Sequence, residues 1–222
     1  MARNNYRNRK GSDFEYKVAE LVGEHWGAKA MRTIGSGSIH RPDGFQSEGD
    51  IVVDHNAQYP FVVEAKKHES IELGEVVRNV GPMRDFYMQV VVDADRVGKT
   101  PLVVFSKNYR ETMVLLPYRA DMFSQLVVND KLAVALNLQI EDKLTEEKKG
   151  YLVIMTTFDG FSSIPKEYYI ESYTKDKWDW KENTIIYYKK RGEVTSESIQ
   201  EEAASILSFM FDGFDKEEEV DE

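Results

Sequence analysis

The chain has 222 residues, of which 41% are hydrophobic and 12% aromatic, enough for one sizeable core or for one domain with a large elaboration. It has no cysteine, which excludes disulfides, thiol catalysis and cysteine-based zinc sites. Its basic, polar N-terminus lacks the apolar segment of a secretory signal, and no apolar run approaches the roughly 20 residues of a membrane-spanning helix. We therefore expect a soluble, cytoplasmic protein that does not bind membranes.

The net charge of −10 is divided unevenly along the chain. Residues 1–100 carry 14 Lys and Arg against 15 Asp and Glu, whereas residues 101–222 carry 15 against 24. Seven of the acids lie in residues 212–222, and the first twelve residues contain four basic side chains and no acid. Whole-chain charge is therefore a poor guide to whether nucleic acid is a partner.

The N-terminal region is predicted to be a flexible basic arm followed by a helix. Residues 1–11 are rich in Asn and Arg and have no apolar periodicity. Ser12 is a suitable N-cap, and Glu15 follows it three residues later as in a capping box, so the helix is expected over residues 12–27. The side chains at helical spacing are Phe14, Val18, Leu21, Val22 and His25.

Three short strands are predicted next. Residues 29–34 form the first, and a polar loop follows over residues 35–49 (GSGSIHRPDGFQSEG). Residues 50–54 (DIVVD) and 61–66 (FVVEAK) are apolar segments joined by a short turn, which indicates a β-hairpin.

A second helix is predicted over residues 72–92, with a kink or a break at Gly81 and Pro82. Residues 101–106 (PLVVFS) are typical of a buried strand, and residues 113–116 are expected to pair beside it. The order to this point is α-β-β-β-α-β, followed by a strand.

The second half is predicted as an α+β elaboration of unknown role over residues 111–211, attached to a core over residues 12–110. Its predicted elements are a helix over residues 119–128, a strand over 151–158, an aromatic strand over 184–189 and a helix over 196–211. Its aromatic residues Trp178, Trp180, Tyr168, Tyr169, Tyr187 and Tyr188 are expected to pack its core, with base stacking or a dimer interface as the alternatives. The acidic residues 212–222 are predicted to be a disordered tail.

The sharpest candidate site combines Asp50, Glu64 and Lys66. Because strand side chains alternate between faces, Glu64 and Lys66 share one face, and the hairpin would bring the Asp50 carboxylate to Glu64. Two convergent carboxylates suit a hard cation such as Mg²⁺, which neutralises charge developing on a phosphodiester. Lys66 would position or activate the attacking water or stabilise the transition state. A solvent-facing amphipathic hairpin is the alternative, and the apolar strands around these charges favour the site.

Several short motifs follow one another in order over about residues 10–106. They are KGS at residues 10–12, Glu15, Arg32, GSGS at residues 35–38, Asp50, and EAK at residues 64–66. The ordered set resembles the archaeal-type Holliday junction resolvases, which are members of the PD-(D/E)XK nuclease superfamily. The resemblance implies an α/β, restriction-endonuclease-like α-β-β-β-α-β core with a mixed central sheet, and it does not explain the second half.

The resemblance also implies roles for individual residues. Asp50 and Glu64 would bind the metal with Glu15 in support, and Lys66 would be catalytic. Arg32, together with Ser36 or Ser38, would contact the phosphate or the scissile strand. Further DNA contacts are expected from Arg9, Lys10 and Lys67.

Four of these assignments have alternatives. Glu15 also fits as the capping partner of a helix start, Arg32 as a surface residue, and the GSGS run as a linker. Asp43 follows a proline and matches the literal superfamily motif. Asp50 is preferred to Asp43 because the apolar residues 51–53 place Asp50 at the start of a predicted strand.

The sequence therefore predicts a metal-dependent DNA endonuclease that uses Mg²⁺, or Mn²⁺ in its place, and resolves four-way junctions as a homodimer. One alternative is a related nuclease of restriction or repair type. Another is a non-catalytic DNA-binding protein on a nuclease-like scaffold. The apolar residues that would form a twofold interface, or pack on the sheet instead, are Val76, Val80, Met83 and Tyr87.

Overall fold

The computed structural model describes residues 2–33, 49–69, 71–108, 110–141 and 148–187. The helices in this part of the chain are α1 (Ala2–Trp26), α2 (Leu73–Val77), α3 (Met83–Val97), α4 (Ala120–Val128), α5 (Phe158–Ser163) and α6 (Lys166–Tyr173). The strands are β1 (Ala30–Arg32), β2 (Ile51–Val53), β3 (Phe61–Lys67), β4 (Thr100–Ser106), β5 (Met113–Pro117), β6 (Val134–Glu141), β7 (Lys148–Thr157) and β8 (Thr184–Tyr187). Within these described ranges, no helix combines the length and the apolar character needed to cross a membrane.

The strands form one mixed sheet in the order β1-β2-β3-β4-β5-β7-β6, and β8 pairs with the first residues of β7. Only β3 and β4 pair in parallel, and α2 and α3 connect them, as a parallel crossover requires. The other strand pairs are antiparallel. The predicted α/β class and the restriction-endonuclease-like α-β-β-β-α-β order are confirmed.

Helices cover both faces of the sheet because alternate strand residues point in opposite directions. In β3, Phe61 and Val63 join a core cluster that contains residues of α1, α4, α5 and α6. Val62 joins the opposite cluster, beneath α2 and α3. Glu64 and Lys66 follow Val62 at intervals of two, so the predicted catalytic pair lies on the face that α3 covers.

The first helix begins at Ala2, so the predictions of a flexible arm over residues 1–11 and of an N-cap at Ser12 were wrong. Once the packed turns around Val18 and Val22 have formed, each further residue adds a helical hydrogen bond without a new nucleation cost. Gly11 lies inside the helix with open space around it. Glu15 is therefore an interior helical residue rather than the capping partner of a helix start.

The predicted helix over residues 72–92 is two helices, α2 and α3, and the break falls at Gly81 and Pro82 as expected. Gly81 has a φ of 82°, a conformation that glycine adopts without strain. Three side chains considered for a twofold interface, Val76, Met83 and Tyr87, are buried in the core beneath these helices. They pack on the sheet, and only Val80 of that set is exposed.

The second half of the chain continues the same sheet. β5 pairs with β4, and β7 pairs with β5, so the boundary expected near residue 110 falls between two neighbouring strands. Strand β6 and helices α5 and α6 were not predicted. Tyr169 and Trp180 are buried, and Tyr168 and Trp178 pack against the core half-buried, as expected for core packing. The predicted helix over residues 196–211 and the acidic tail lie outside the described residues.

Candidate active site

The candidate site lies where β2 begins and the second half of β3 runs beside it. The two strands pair antiparallel, with Ile51 opposite Val63. Asp50 immediately precedes β2, and its backbone N–H donates a 2.7 Å hydrogen bond to the carbonyl oxygen of Val63. The predicted hairpin therefore forms and brings Asp50 to the residue that precedes Glu64.

The side chains of Asp50, Glu64 and Lys66 converge at this point. Glu64 is 1% exposed and Asp50 3% exposed, so both carboxylates are almost completely removed from solvent. The Lys66 ammonium contacts Oε1 of Glu64 and lies 3.7 Å from Oδ2 of Asp50. The same ammonium lies 5.8 Å from the centre of the Phe86 ring on α3.

Burial and repulsion by the neighbouring Asp50 carboxylate disfavour charge on Glu64. Burial raises the pKa of Glu64 to about 7, and the neighbouring Asp50 carboxylate contributes in the same direction, while Lys66 opposes the shift. Burial lowers the pKa of Lys66, but the Asp50, Glu64 and Glu15 carboxylates outweigh it and raise that pKa overall. The half-buried Lys66 ammonium is therefore shared by the Glu64 and Asp50 carboxylates.

This donor set fits a hard divalent cation. Carboxylate oxygens are its preferred ligands, and the excess of negative charge between Asp50 and Glu64 is what such an ion would neutralise. Among the described residues, no three His, Asp or Glu side chains form a group that could hold a metal ion. Asp50 and Glu64 would thus supply two protein ligands, and the remaining positions would fall to water and substrate oxygens.

Glu15 and Arg32 form an ion pair beside this cluster. The Arg32 guanidinium donates from Nε to the Glu15 carboxylate, and this bond raises the pKa of Arg32. Arg32 ends β1, and the next residue, Thr33, donates its backbone N–H to the Asp50 carbonyl oxygen at 2.8 Å. The Arg32 guanidinium carbon also lies 5.7 Å from the centre of the Tyr16 ring. These contacts place the ion pair at the margin of the carboxylate site.

A family model described as "Phage putative PDDEXK endonuclease" matches residues 6–171, well over half of the chain. The chain belongs to this family. It is therefore a nuclease of the PD-(D/E)XK type, and the predicted superfamily is confirmed at this level rather than at the level of junction resolvases. The matched range runs from α1 through β7 into α6 and so includes both sides of residue 110. Neither a curated protein nor a solved structure matches the chain.

The other predicted site residues of the nuclease either lie away from this cluster or fall outside the described residues. Lys67 is exposed at the end of β3, on the opposite strand face from Lys66. Arg9 and Lys10 belong to α1, but their side chains lie outside the described residues, as do Ser36, Ser38 and Asp43. The structure thus brings together Asp50, Glu64 and Lys66, with Glu15 and Arg32 beside them; the catalytic and metal-binding roles of these residues stay predictions.

Three residues at the nuclease site were missed from the sequence. Gly49 has a φ of 77°, and a β-carbon on it would lie 2.5 Å from the Val63 carbonyl oxygen. Phe86 lies over the catalytic lysine candidate, and the Asp93 carboxylate contributes to the raised pKa of Glu64. Phe86 and Asp93 are seven residues apart on α3, which is two helical turns, so both lie on one side of the helix. This spacing could have been recognised in the sequence.

Proposed function

We propose that this nuclease is a metal-dependent endonuclease that hydrolyses phosphodiester bonds in DNA and prefers four-way junctions. The observation that carries the proposal is the convergence of the Asp50 and Glu64 carboxylates on the Lys66 ammonium at the start of β2. Membership of the endonuclease family supports the class of reaction. The ordered motifs from residue 10 to residue 66 support the junction preference.

Asp50 and Glu64 would hold Mg²⁺, or Mn²⁺ in its place, and the bound ion would polarise water and neutralise charge on the phosphodiester. Lys66 touches both carboxylates, so its ammonium is positioned to stabilise charge on a phosphate that approaches them. Arg32 presents a planar guanidinium, suited to phosphate, at the margin of the same site. Glu15 holds that guanidinium in place, which supports the assignment of Glu15 as a supporting residue of the site.

The direct test is cleavage of labelled four-way junction, linear duplex and flap DNA with and without Mg²⁺ or Mn²⁺. We expect cleavage only with metal, and more cleavage of junctions than of duplex. Asp50→Asn, Glu64→Gln and Lys66→Ala should each abolish it. Lys67→Ala is the matched control, because it removes the adjacent cation from the other strand face and should leave cleavage intact at saturating DNA.

Each alternative outcome assigns a different function. Equal cleavage of duplex and junction would leave a nuclease of restriction or repair type. Metal-independent DNA binding without cleavage would leave a DNA-binding protein on a nuclease scaffold. Loss of activity in Asp43→Asn, with full activity in Asp50→Asn, would assign the metal site to Asp43 instead of Asp50.

A homodimer is part of the proposal because a four-way junction has twofold symmetry, which two sites on a twofold axis would match. Sedimentation should therefore give a dimer. A mixed dimer that contains one Glu64→Gln subunit should nick a junction once, whereas the wild type should produce paired nicks in opposing strands. A monomer that makes paired nicks would remove this part of the proposal.

A further inference from the structure

Tyr16 presents an aromatic ring to solvent at the margin of the candidate active site. Its side chain is 60% exposed, although it follows Glu15 directly on α1. The neighbouring apolar residues of this helix, Phe14 and Val18, are buried against the sheet. Core packing therefore accounts for them and does not account for the position of the Tyr16 ring.

Arg32 holds the Tyr16 side chain in place. The Arg32 guanidinium lies 5.7 Å from the ring centre, within the range of a cation–π contact, and the Glu15 carboxylate holds that guanidinium. Tyr16 is thus linked through Arg32 to the next residue, Thr33, whose backbone N–H donates to the Asp50 carbonyl oxygen. With 60% of its side chain exposed, the Tyr16 ring keeps accessible aromatic surface beside the Glu15–Arg32 ion pair at the margin of the site.

Such a ring is well suited to one kind of ligand. A nucleobase that stacks on an aromatic side chain gains about 1–3 kcal/mol. Tyrosine loses little conformational entropy on binding because it has two side-chain torsions, and Arg32 already restricts them here. A base inside a continuous duplex is stacked on both sides, whereas a base at the branch point of an opened junction has an exposed face. The ring should therefore distinguish branched DNA from linear duplex.

We propose that Tyr16 is a specificity-determining residue that stacks on an exposed nucleobase next to the scissile phosphate of branched DNA. This inference rests on the proposed function. It adds a direct contact to the substrate base, which none of the carboxylates or cations of the site provides.

The test compares Tyr16→Leu, which removes the ring but keeps apolar volume, with Tyr16→Phe and Tyr16→Trp, which keep a ring. Affinity is measured for a four-way junction and a linear duplex, each with 2-aminopurine at the position of the branch. Tyr16→Leu should lose about 5- to 150-fold in junction affinity, the factor that one stacked base represents, and should leave duplex affinity unchanged. The fluorescence quenching of 2-aminopurine in the wild-type complex should disappear in Tyr16→Leu and persist in the two aromatic variants.

Met31→Ala is the matched control, because Met31 is an exposed apolar residue adjacent to Arg32 on β1. It should keep both the affinity and the quenching. Equal losses on junction and duplex, or a fall in kcat at saturating junction with unchanged affinity, would show that Tyr16 only orients Arg32 and would overturn the inference. If the wild type cleaves junctions and Tyr16→Leu keeps the wild-type junction affinity, this inference alone is overturned. If the wild type neither binds nor cuts DNA, the proposed function is overturned as well.

Discussion

The Asp50 carboxylate accepts a 2.9 Å hydrogen bond at Oδ2 from the backbone N–H of Ala65. The backbone N–H of Asp50 in turn donates to the Val63 carbonyl oxygen. Asp50 is therefore bonded to the residues on both sides of Glu64, and the spacing of the two acids is set by the sheet backbone. On the side of α3, the Phe86 ring lies 5.8 Å from the Lys66 ammonium.

A binding site that is preorganised in this way should respond to metal by gaining stability. Mg²⁺ that binds the native state alone should raise the melting temperature, by the equivalent of about 2.7 kcal/mol when its concentration is a hundredfold above Kd. Asp50→Asn and Glu64→Gln should lose this shift, because each removes a charged ligand. Differential scanning calorimetry with and without Mg²⁺ measures both effects.

Glu20→Gln is the control for that measurement, since Glu20 is an exposed acid on α1. It should keep the full Mg²⁺ shift. An equal shift in Glu20→Gln and in Glu64→Gln would attribute the stabilisation to general ionic effects and would count against the metal site.

A second prediction concerns acid stability and His25. The imidazole packs edge-on against Trp26, Phe161 and Tyr169, with ring centres 5.5–6.0 Å apart, and its Nε2 is buried without a hydrogen-bond partner. Burial lowers the pKa of His25 below 6.5, with Glu167 opposing this shift and Lys166 adding to it.

Because the unfolded state binds the His25 proton more readily than the native state, this group costs stability as the pH falls below 6.5. His25→Phe keeps the aromatic contacts and removes the titration. Denaturant unfolding between about pH 5 and pH 7.5 should show a weaker fall in stability on the acid side for His25→Phe than for the wild type. A His25→Phe profile parallel to the wild type would show that another group carries the acid dependence.

The sequence supported much of the fold because its hydrophobic patterns are local. The alternation around Glu64 identified the hairpin, and Gly81 with Pro82 identified the break between α2 and α3. Strand β6 was missed although Leu136 and Leu138, both buried in the core, alternate with polar Asn137 and Gln139. Helices α5 and α6 are short and rich in aromatic residues that favour strands, so tertiary packing rather than propensity determines them.

The candidate site was predictable to the extent that it depends on strand alternation and hairpin pairing, which join Asp50 to Glu64. The ion pair between Glu15 and Arg32 could not be derived from spacing, because it joins a helix to a strand and depends on where α1 crosses the sheet. The sequence also did not reveal that residue 49 must be glycine, because this need arises from the close approach of the Gly49 backbone to the Val63 carbonyl oxygen.

The continuity of the sheet predicts that residues 1–110 do not fold alone. β5 and β7 cover β4 on its far side, and Leu115 and Ile154 are completely buried within them. A fragment of residues 1–110 would expose the edge of β4 and half of both core clusters to water. Circular dichroism during thermal unfolding should show no cooperative transition for this fragment, whereas the full chain should show one. A cooperative transition in the shorter fragment would restore the division of the chain near residue 110.

The last prediction tests whether Gly49 positions the site. A β-carbon at this residue would meet the Val63 carbonyl oxygen at 2.5 Å and Cγ1 of Val62 at 2.9 Å, and the φ of 77° disfavours any other residue. In Gly49→Ala the backbone at residue 49 must move away from β3, which disturbs the hydrogen bonds of Asp50 to Val63 and Ala65. We expect a loss of about 1–3 kcal/mol in stability from the strained backbone, and loss of the Mg²⁺ shift although both carboxylates remain.

Gly74→Ala is its matched control, because a β-carbon at Gly74, on the exposed side of α2, meets no atom within 4 Å. That change should leave stability unchanged or raise it slightly, since alanine favours the helix, and should keep the Mg²⁺ shift. If Gly49→Ala were destabilised but kept its full response to Mg²⁺, the carboxylates would not depend on Gly49 for their position. The rigidity attributed to the hydrogen bond between Asp50 and Ala65 would then be wrong.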